Sequence, residues 1–194
     1  TLVPDTDAHE NWPLLFCRVP AAKRRGAIAE IARRVARHDP QREPGACSTY
    51  GSFSMLGALY RAGEVGLAEE SMRRVYRRMI ASPTGTIWEH SNPSKSLVHA
   101  WSTAPNYYLS TRALGVRLGF SEPTDLSRVL VAPQSETLTW ARGTVPHPRG
   151  DITVSWRIAG SRLMVCCKAP RGVKVDIRPR GRLAKLDLHI GDTA

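Results

Sequence analysis

The spacing of apolar positions changes once along this chain, and the change divides it. Up to about Arg117 they recur at helical intervals; after about Pro123 they alternate. A first helical segment is expected near Glu10 to Arg18. The next opens at Pro20, whose fixed φ suits a first turn, and keeps Ala27, Ile28, Ile31, Ala32 and Val35 on one side until Asp39-Pro40 stops it. After a loop from Pro40 to Ala46, a third helix carries Tyr50, Phe53, Leu56, Leu59 and Tyr60, ending at Arg61-Ala62-Gly63 where glycine supplies a left-handed cap. Val65 starts a fourth, which runs to about Ala81 and is broken by Ser82-Pro83-Thr84-Gly85. So short a link forces the third and fourth helices to lie antiparallel as an αα-hairpin. A further helix is predicted from about Leu97 to Leu114, with Tyr107, Tyr108 and Leu109 toward a core and Leu114-Gly115 as its stop. These segments together predict inner and outer layers of a curved helical array.

Past Gly119-Phe120-Ser121-Glu122-Pro123 the period is two. Strands are expected over Arg128 to Ala132, Thr137 to Val145, Asp151 to Ile158, Arg162 to Ala169, Val173 to Ile177 and Leu183 to Ile190. Ile152, Val154 and Trp156 share one face, which makes Trp156 a core residue; Trp140 is harder to place. The expected fold class is α+β multidomain, with a helical domain over 1–120 and a small antiparallel β-sandwich over 121–194.

Composition narrows the partners. The 194 residues carry 42% hydrophobic side chains, enough for a true core, and a net charge of +11. That charge invites a nucleic-acid reading, but its position weakens it. Arg24, Arg25, Arg33, Arg34 and Arg37 interleave with Ile28, Ile31 and Val35, as Arg73, Arg74, Arg77 and Arg78 do with Met72, Val75, Tyr76 and Met79. These are the solvated faces of amphipathic helices, and no nucleic-acid-binding signature accompanies them. No nucleic-acid partner is expected. Cys17, Cys47, Cys166 and Cys167 lack metal-ligand spacing, so no metal or cofactor is expected and the thiols read as reduced. No apolar run approaches a membrane span and the start, Thr1-Leu2-Val3-Pro4-Asp5, lacks a signal-peptide pattern and an initiator Met. The expectation is a cytoplasmic chain without a membrane partner, beginning inside a longer protein.

The densest candidate chemistry is Thr86-Ile87-Trp88-Glu89-His90, followed across Asn92-Pro93 by Ser96-Leu97-Val98-His99-Ala100-Trp101-Ser102. A carboxylate beside indoles suits a sugar: ring C–H groups pack on the indole while the acid takes hydroxyls or activates water. Each residue also has an ordinary reading. Trp88 and Trp101 are core or helix-packing residues on that view, Glu89 a helix-start acid or a partner of Arg61 or Arg112, and His99 a plain polar helix residue. His147, in Pro146-His147-Pro148, reads as a turn residue.

The order of motifs resembles bacterial α-L-rhamnosidases. It is carried by Gly51-Ser52-Phe53 with Leu59-Tyr60-Arg61-Ala62-Gly63-Glu64, the Trp-Glu loop, Ser96-Leu97-Val98-His99-Ala100-Trp101-Ser102, Leu114-Gly115-Val116, and Leu138-Thr139-Trp140-Ala141-Arg142-Gly143-Thr144-Val145-Pro146. The resemblance implies the end of an (α/α)6 catalytic barrel followed by a C-terminal β-sandwich, and hydrolysis of terminal α-L-rhamnose with inversion. It maps the general base onto Glu89 and a sugar-contacting histidine onto His99; by their own chemistry Trp88 or Trp101 would wall the pocket. Nothing here matches the family's general acid, so the expected partners are a rhamnosyl glycoside and the missing first part of the barrel or a second copy of the chain. The competing function is a non-catalytic carbohydrate-binding or interaction module presenting Trp140.

Overall fold

The computed structural model describes residues 20–37, 48–119 and 124–191, and the chain divides into two compact units, Thr1–Pro105 and Asn106–Ala194. The helix expected at Glu10 to Arg18, the loop Pro40 to Ala46, Cys17 and Cys47 lie outside the described residues.

In the first unit, Pro20 stands directly before α1 (Ala21–Ala36), which buries Ala27, Ile31 and Val35, four residues apart on one stripe. α2 (Ser52–Ala62) and α3 (Val65–Ala81) form the expected hairpin. Gly63 turns it at φ 88°. Its N–H donates to the Tyr60 carbonyl and that of Glu64 to the Leu59 carbonyl, the paired bonds that close a helix C-terminus through a left-handed residue. α3 buries Val65, Ala68, Met72, Val75, Tyr76 and Met79 and keeps Arg73, Arg74 and Arg77 in solvent, while Glu69 falls on its buried side. Two apolar assignments fail around this hairpin, as do those of Tyr107 and Leu109 further on, which are exposed rather than turned to a core. Tyr50 precedes α2 and is exposed, and Phe53 is exposed on it, because α2 turns Met55, Leu56, Ala58 and Leu59 inward instead.

The long helix expected over Leu97 to Leu114 is replaced by three short pieces: a 3₁₀ turn at Ala100–Ser102, α4 (Ala104–Tyr108) and a π-helical turn at Leu109–Ala113. The physical cause is local. Pro105 has no N–H to continue a ladder from Trp101, and Thr103 Oγ1 bonds back to the Ala100 carbonyl at 2.7 Å. The π turn closes with the Leu114 N–H on the Leu109 carbonyl at 2.7 Å.

The second unit stacks two sheets on one core. β1 (Val116–Leu118), β2 (Arg128–Val131) and β6 (Lys174–Ile177) form one, in the order β1-β2-β6; β3 (Trp140–Val145), β4 (Ile152–Ala159), β5 (Arg162–Lys168) and β7 (Asp187–Gly191) form the other, in that order. Val116, Val129 and Val131 meet Ile152, Val154, Trp156, Leu163 and Val165 between them. The sandwich is not purely antiparallel as expected: β2 runs parallel to β6 and β5 parallel to β7. Both pairings join strands distant in sequence, which alternation alone does not orient. β1 arises where a helix end was expected, and the last expected strand begins only at Asp187, after a 3₁₀ turn at Gly181–Lys185.

Trp156 is 2% exposed, and its indole N–H donates to the Ala113 carbonyl at 2.9 Å, tying β4 to the π turn. Gly115, at φ 90°, follows that turn against the strand end; a Cβ there would lie 2.3 Å from the Pro133 backbone nitrogen. His147 is a buried turn residue whose Nε2 meets the Leu126 carbonyl at 2.8 Å while Nδ1 accepts the Arg149 N–H. Cys166 and Cys167 are free thiols. Among the described residues no helix is long and apolar enough to cross a membrane.

Candidate functional site

Every sequence-predicted site residue lies in the first unit, on the irregular segments after α3 and before α4. The chain doubles back there. The Glu89 N–H donates to the Ser96 carbonyl at 2.9 Å and the His99 N–H to the Ile87 carbonyl at 2.9 Å, so Ile87–Glu89 and Ser96–His99 run side by side. The Asn92 side chain holds the turn between them through the Ser94 N–H at 3.1 Å.

Thr49, fully buried in the turn before α2, joins this doubled segment to the helices. Its hydroxyl donates to the Glu89 carbonyl and accepts from Ser102 Oγ at 3.0 Å. Its own carbonyl accepts from Ser52 Oγ at 2.6 Å, and that hydroxyl meets Tyr76 Oη at 2.6 Å. Three stretches of chain, at 49–52, 87–89 and 96–102, are thereby fixed around one threonine. Sequence reading missed Thr49; the signal available was a Thr-Tyr-Gly turn directly before a helix, which is too common to single out.

Glu89 is half-buried, and its Oε2 accepts the Ser96 N–H at 3.4 Å. The carboxylate is thus oriented by the opposite arm of the turn. His99 is half-buried too and sits immediately before the 3₁₀ turn. Its imidazole packs edge-on against Trp101, ring centroids 6.0 Å apart. Trp101 also packs with Tyr50, tilted 40° with centroids 5.3 Å apart. Trp101 is 70% and Tyr50 61% exposed. An aromatic pair open to solvent beside an imidazole is a surface that takes the apolar face of a ring and bonds its hydroxyls. Tyr50, assigned to a helix core from its spacing, is therefore part of this surface.

Trp88 behaves differently. It is 5% exposed, packed with Val75, Tyr76 and Met79, and its indole N–H donates to Thr84 Oγ1 at 3.2 Å. Burial gives it the core role and corrects its assignment as a pocket wall: it anchors the backbone from which Glu89 projects. Among the carboxylates upstream, Glu30 is bound to Arg33 and Arg34 and Glu70 to Arg74. For Glu30 the setting is the reverse of one that raises a carboxyl pKa: the Arg33 guanidinium above all, with Arg34, lowers it to about 2. Among the described residues no group of three or more His, Cys, Asp or Glu is placed to hold a metal ion.

The chain is similar to the GH78 family rhamnosidase of Bacillus sp. GL1, 27% identical with a TM-score of 0.73, over 96% of this chain and 20% of that one. It shares the fold of the α-L-rhamnosidase from Dictyoglumus thermophilum, 17% identical with a TM-score of 0.68, over 91% of this chain and 20% of that one. It thus spans about a fifth of each of these structures. Comparison with curated proteins gives no match. Residues 126–184, within the β-sheet unit, match the family described as bacterial alpha-L-rhamnosidase C-terminal domain.

Proposed function

We propose that this chain is the C-terminal part of an inverting α-L-rhamnosidase, in which α1, α2 and α3 are late helices of an (α/α)6 barrel and Glu89 is the general base. The supporting observation is the way Thr49 holds the Glu89 strand against the segment that carries His99 and the exposed Trp101–Tyr50 pair. Inversion needs an ionised carboxylate to take a proton from water as it attacks the anomeric carbon, and a protonated one about 6.5–9.5 Å away to give the leaving oxygen its proton. Glu89 supplies the first. The Ser96 N–H orients its carboxylate, and a half-buried position admits water. His99 bonds a sugar hydroxyl, Trp101 and Tyr50 receive the ring, and the acid comes from the first part of the barrel.

The test is turnover of p-nitrophenyl α-L-rhamnoside. The 194-residue chain alone is expected to be inactive. In the protein extended through the first part of the barrel, Glu89→Gln is expected to lower kcat by about 10²–10⁴-fold with KM little changed. An unchanged kcat would sink the assignment.

A second reading, a carbohydrate-binding module, is favoured by one observation. Trp140 is 66% exposed and lines an open cavity of about 590 Å³ on the four-stranded sheet with Arg142, Arg157 and Lys168. On that reading Trp140→Ala abolishes glycan binding by the chain; retained binding excludes it.

A further inference from the structure

The β-sheet unit has a second cavity, of about 720 Å³, bounded by the π turn, β1 and the segment after β6. Arg112, Arg117, Arg178 and Arg180 all line it, Tyr107 and Thr111 add hydroxyl-bearing side chains, and among the described residues no carboxylate does. Asp176, which is not in its lining, accepts from Arg128 at 2.7 Å and pairs with Arg178 at 3.9 Å, leaving Arg117 and Arg180 without a carboxylate partner among the described residues.

Arg117 is the informative member. Its Nε donates to the Thr111 carbonyl at 3.1 Å, but one terminal nitrogen is buried with no hydrogen-bond partner among the described residues. Burial first, then the charges of Arg112 and Arg180, bring its guanidinium down to about 10. A guanidinium taken out of water, set beside like charges and left with an unmade bond is an unfavourable arrangement unless a negative group enters. Folded proteins leave few such donors unsatisfied, and a planar fork of N–H groups matches the two oxygens of a carboxylate or phosphate.

We propose that this cavity is an oxyanion-binding site for the carboxylate or phosphate group of a small ligand, held chiefly by Arg117 and Arg180. It stands on the β-sheet unit alone and does not depend on the role given to Glu89. Thermal unfolding of the 194-residue chain in sodium phosphate, sodium succinate and sodium chloride at equal ionic strength tests it. Phosphate or succinate at about 100 mM is expected to raise Tm by about 5 °C over chloride, and which anion does so identifies the group recognised. Arg180→Gln, at an exposed position, is expected to cancel most of that gain and, by removing a like charge, to raise Tm slightly in chloride; Arg117→Gln cancels the gain as well. No gain over chloride with either anion, or a gain that persists in both variants, overturns the proposal.

Discussion

Trp156→Phe isolates a single bond at the centre of the β-sheet unit. The indole N–H is the donor to the Ala113 carbonyl, and Ala113 is itself buried, so water does not replace it. Leaving a buried carbonyl unsatisfied costs about 1–3 kcal/mol. The phenyl ring also fills less space than the indole, by roughly three heavy atoms, and at ~0.8 kcal/mol per buried carbon this adds about 2 kcal/mol. The sum is about 3–5 kcal/mol, which for a unit of this size lowers Tm by roughly 12–40 °C. The control is the same exchange at Trp140, 66% exposed on neighbouring β3, where the expected change is within about 0.5 kcal/mol. Urea unfolding followed by far-UV circular dichroism measures both without relying on indole fluorescence. A loss below about 1 kcal/mol at Trp156 would show that the π turn is not held from β4, and an equal loss at both sites would refute burial as the cause.

Gly115→Ala is expected to cost about 3 kcal/mol or more, since the residue sits at φ 90° and the new Cβ meets the Pro133 backbone at 2.3 Å, where nothing flexible gives way; a chemical-denaturation midpoint within error of the parent would contradict this. Glu30→Gln is expected to cost about 0.3–1 kcal/mol at pH 7, a small figure because the Arg33 side chain is 41% exposed and solvent screens the pair. Because Glu30 is lowered from 4.5 to about 2, its contribution is whole above pH 4.5 and fades as pH falls toward 2, so the parent and variant curves should converge there; a gap that widens on acidification would reverse the sign.

Much of this fold is written in period and punctuation. The αα-hairpin was legible because Gly63 follows a full helical stripe at a two-residue link, β4 and β6 because polar and apolar residues alternate along them, and β2 and β5 as short apolar runs between polar ends. What failed had non-local causes. The apolar run Val129–Val131 marks β2 as a strand but does not say that its second neighbour is β6 running parallel. β1 is three residues long, too short to show a period. The candidate site was legible as a list of residues and not as a surface. Trp88 and Trp101 look equivalent in a loop without periodicity, yet one is packed against Tyr76 and the other stands in solvent against Tyr50. Only tertiary contact with α3 separates them.

The two parallel pairings also set an order in which the β-sheet unit can assemble. β3, β4 and β5 follow one another as a meander, with Val145 opposite Ile152 and Ala159 opposite Arg162 across short turns, so their contacts close early. β2 pairs its Arg128 with Lys174, and β5 waits for β7. During synthesis the meander is therefore complete while β2 still has one open edge, and that edge closes only after the chain beyond Ile177 has emerged. A chain cut between β5 and β6 would keep its hairpins and lose the three-stranded sheet, exposing Val129 and Val131 to association with other unfinished chains.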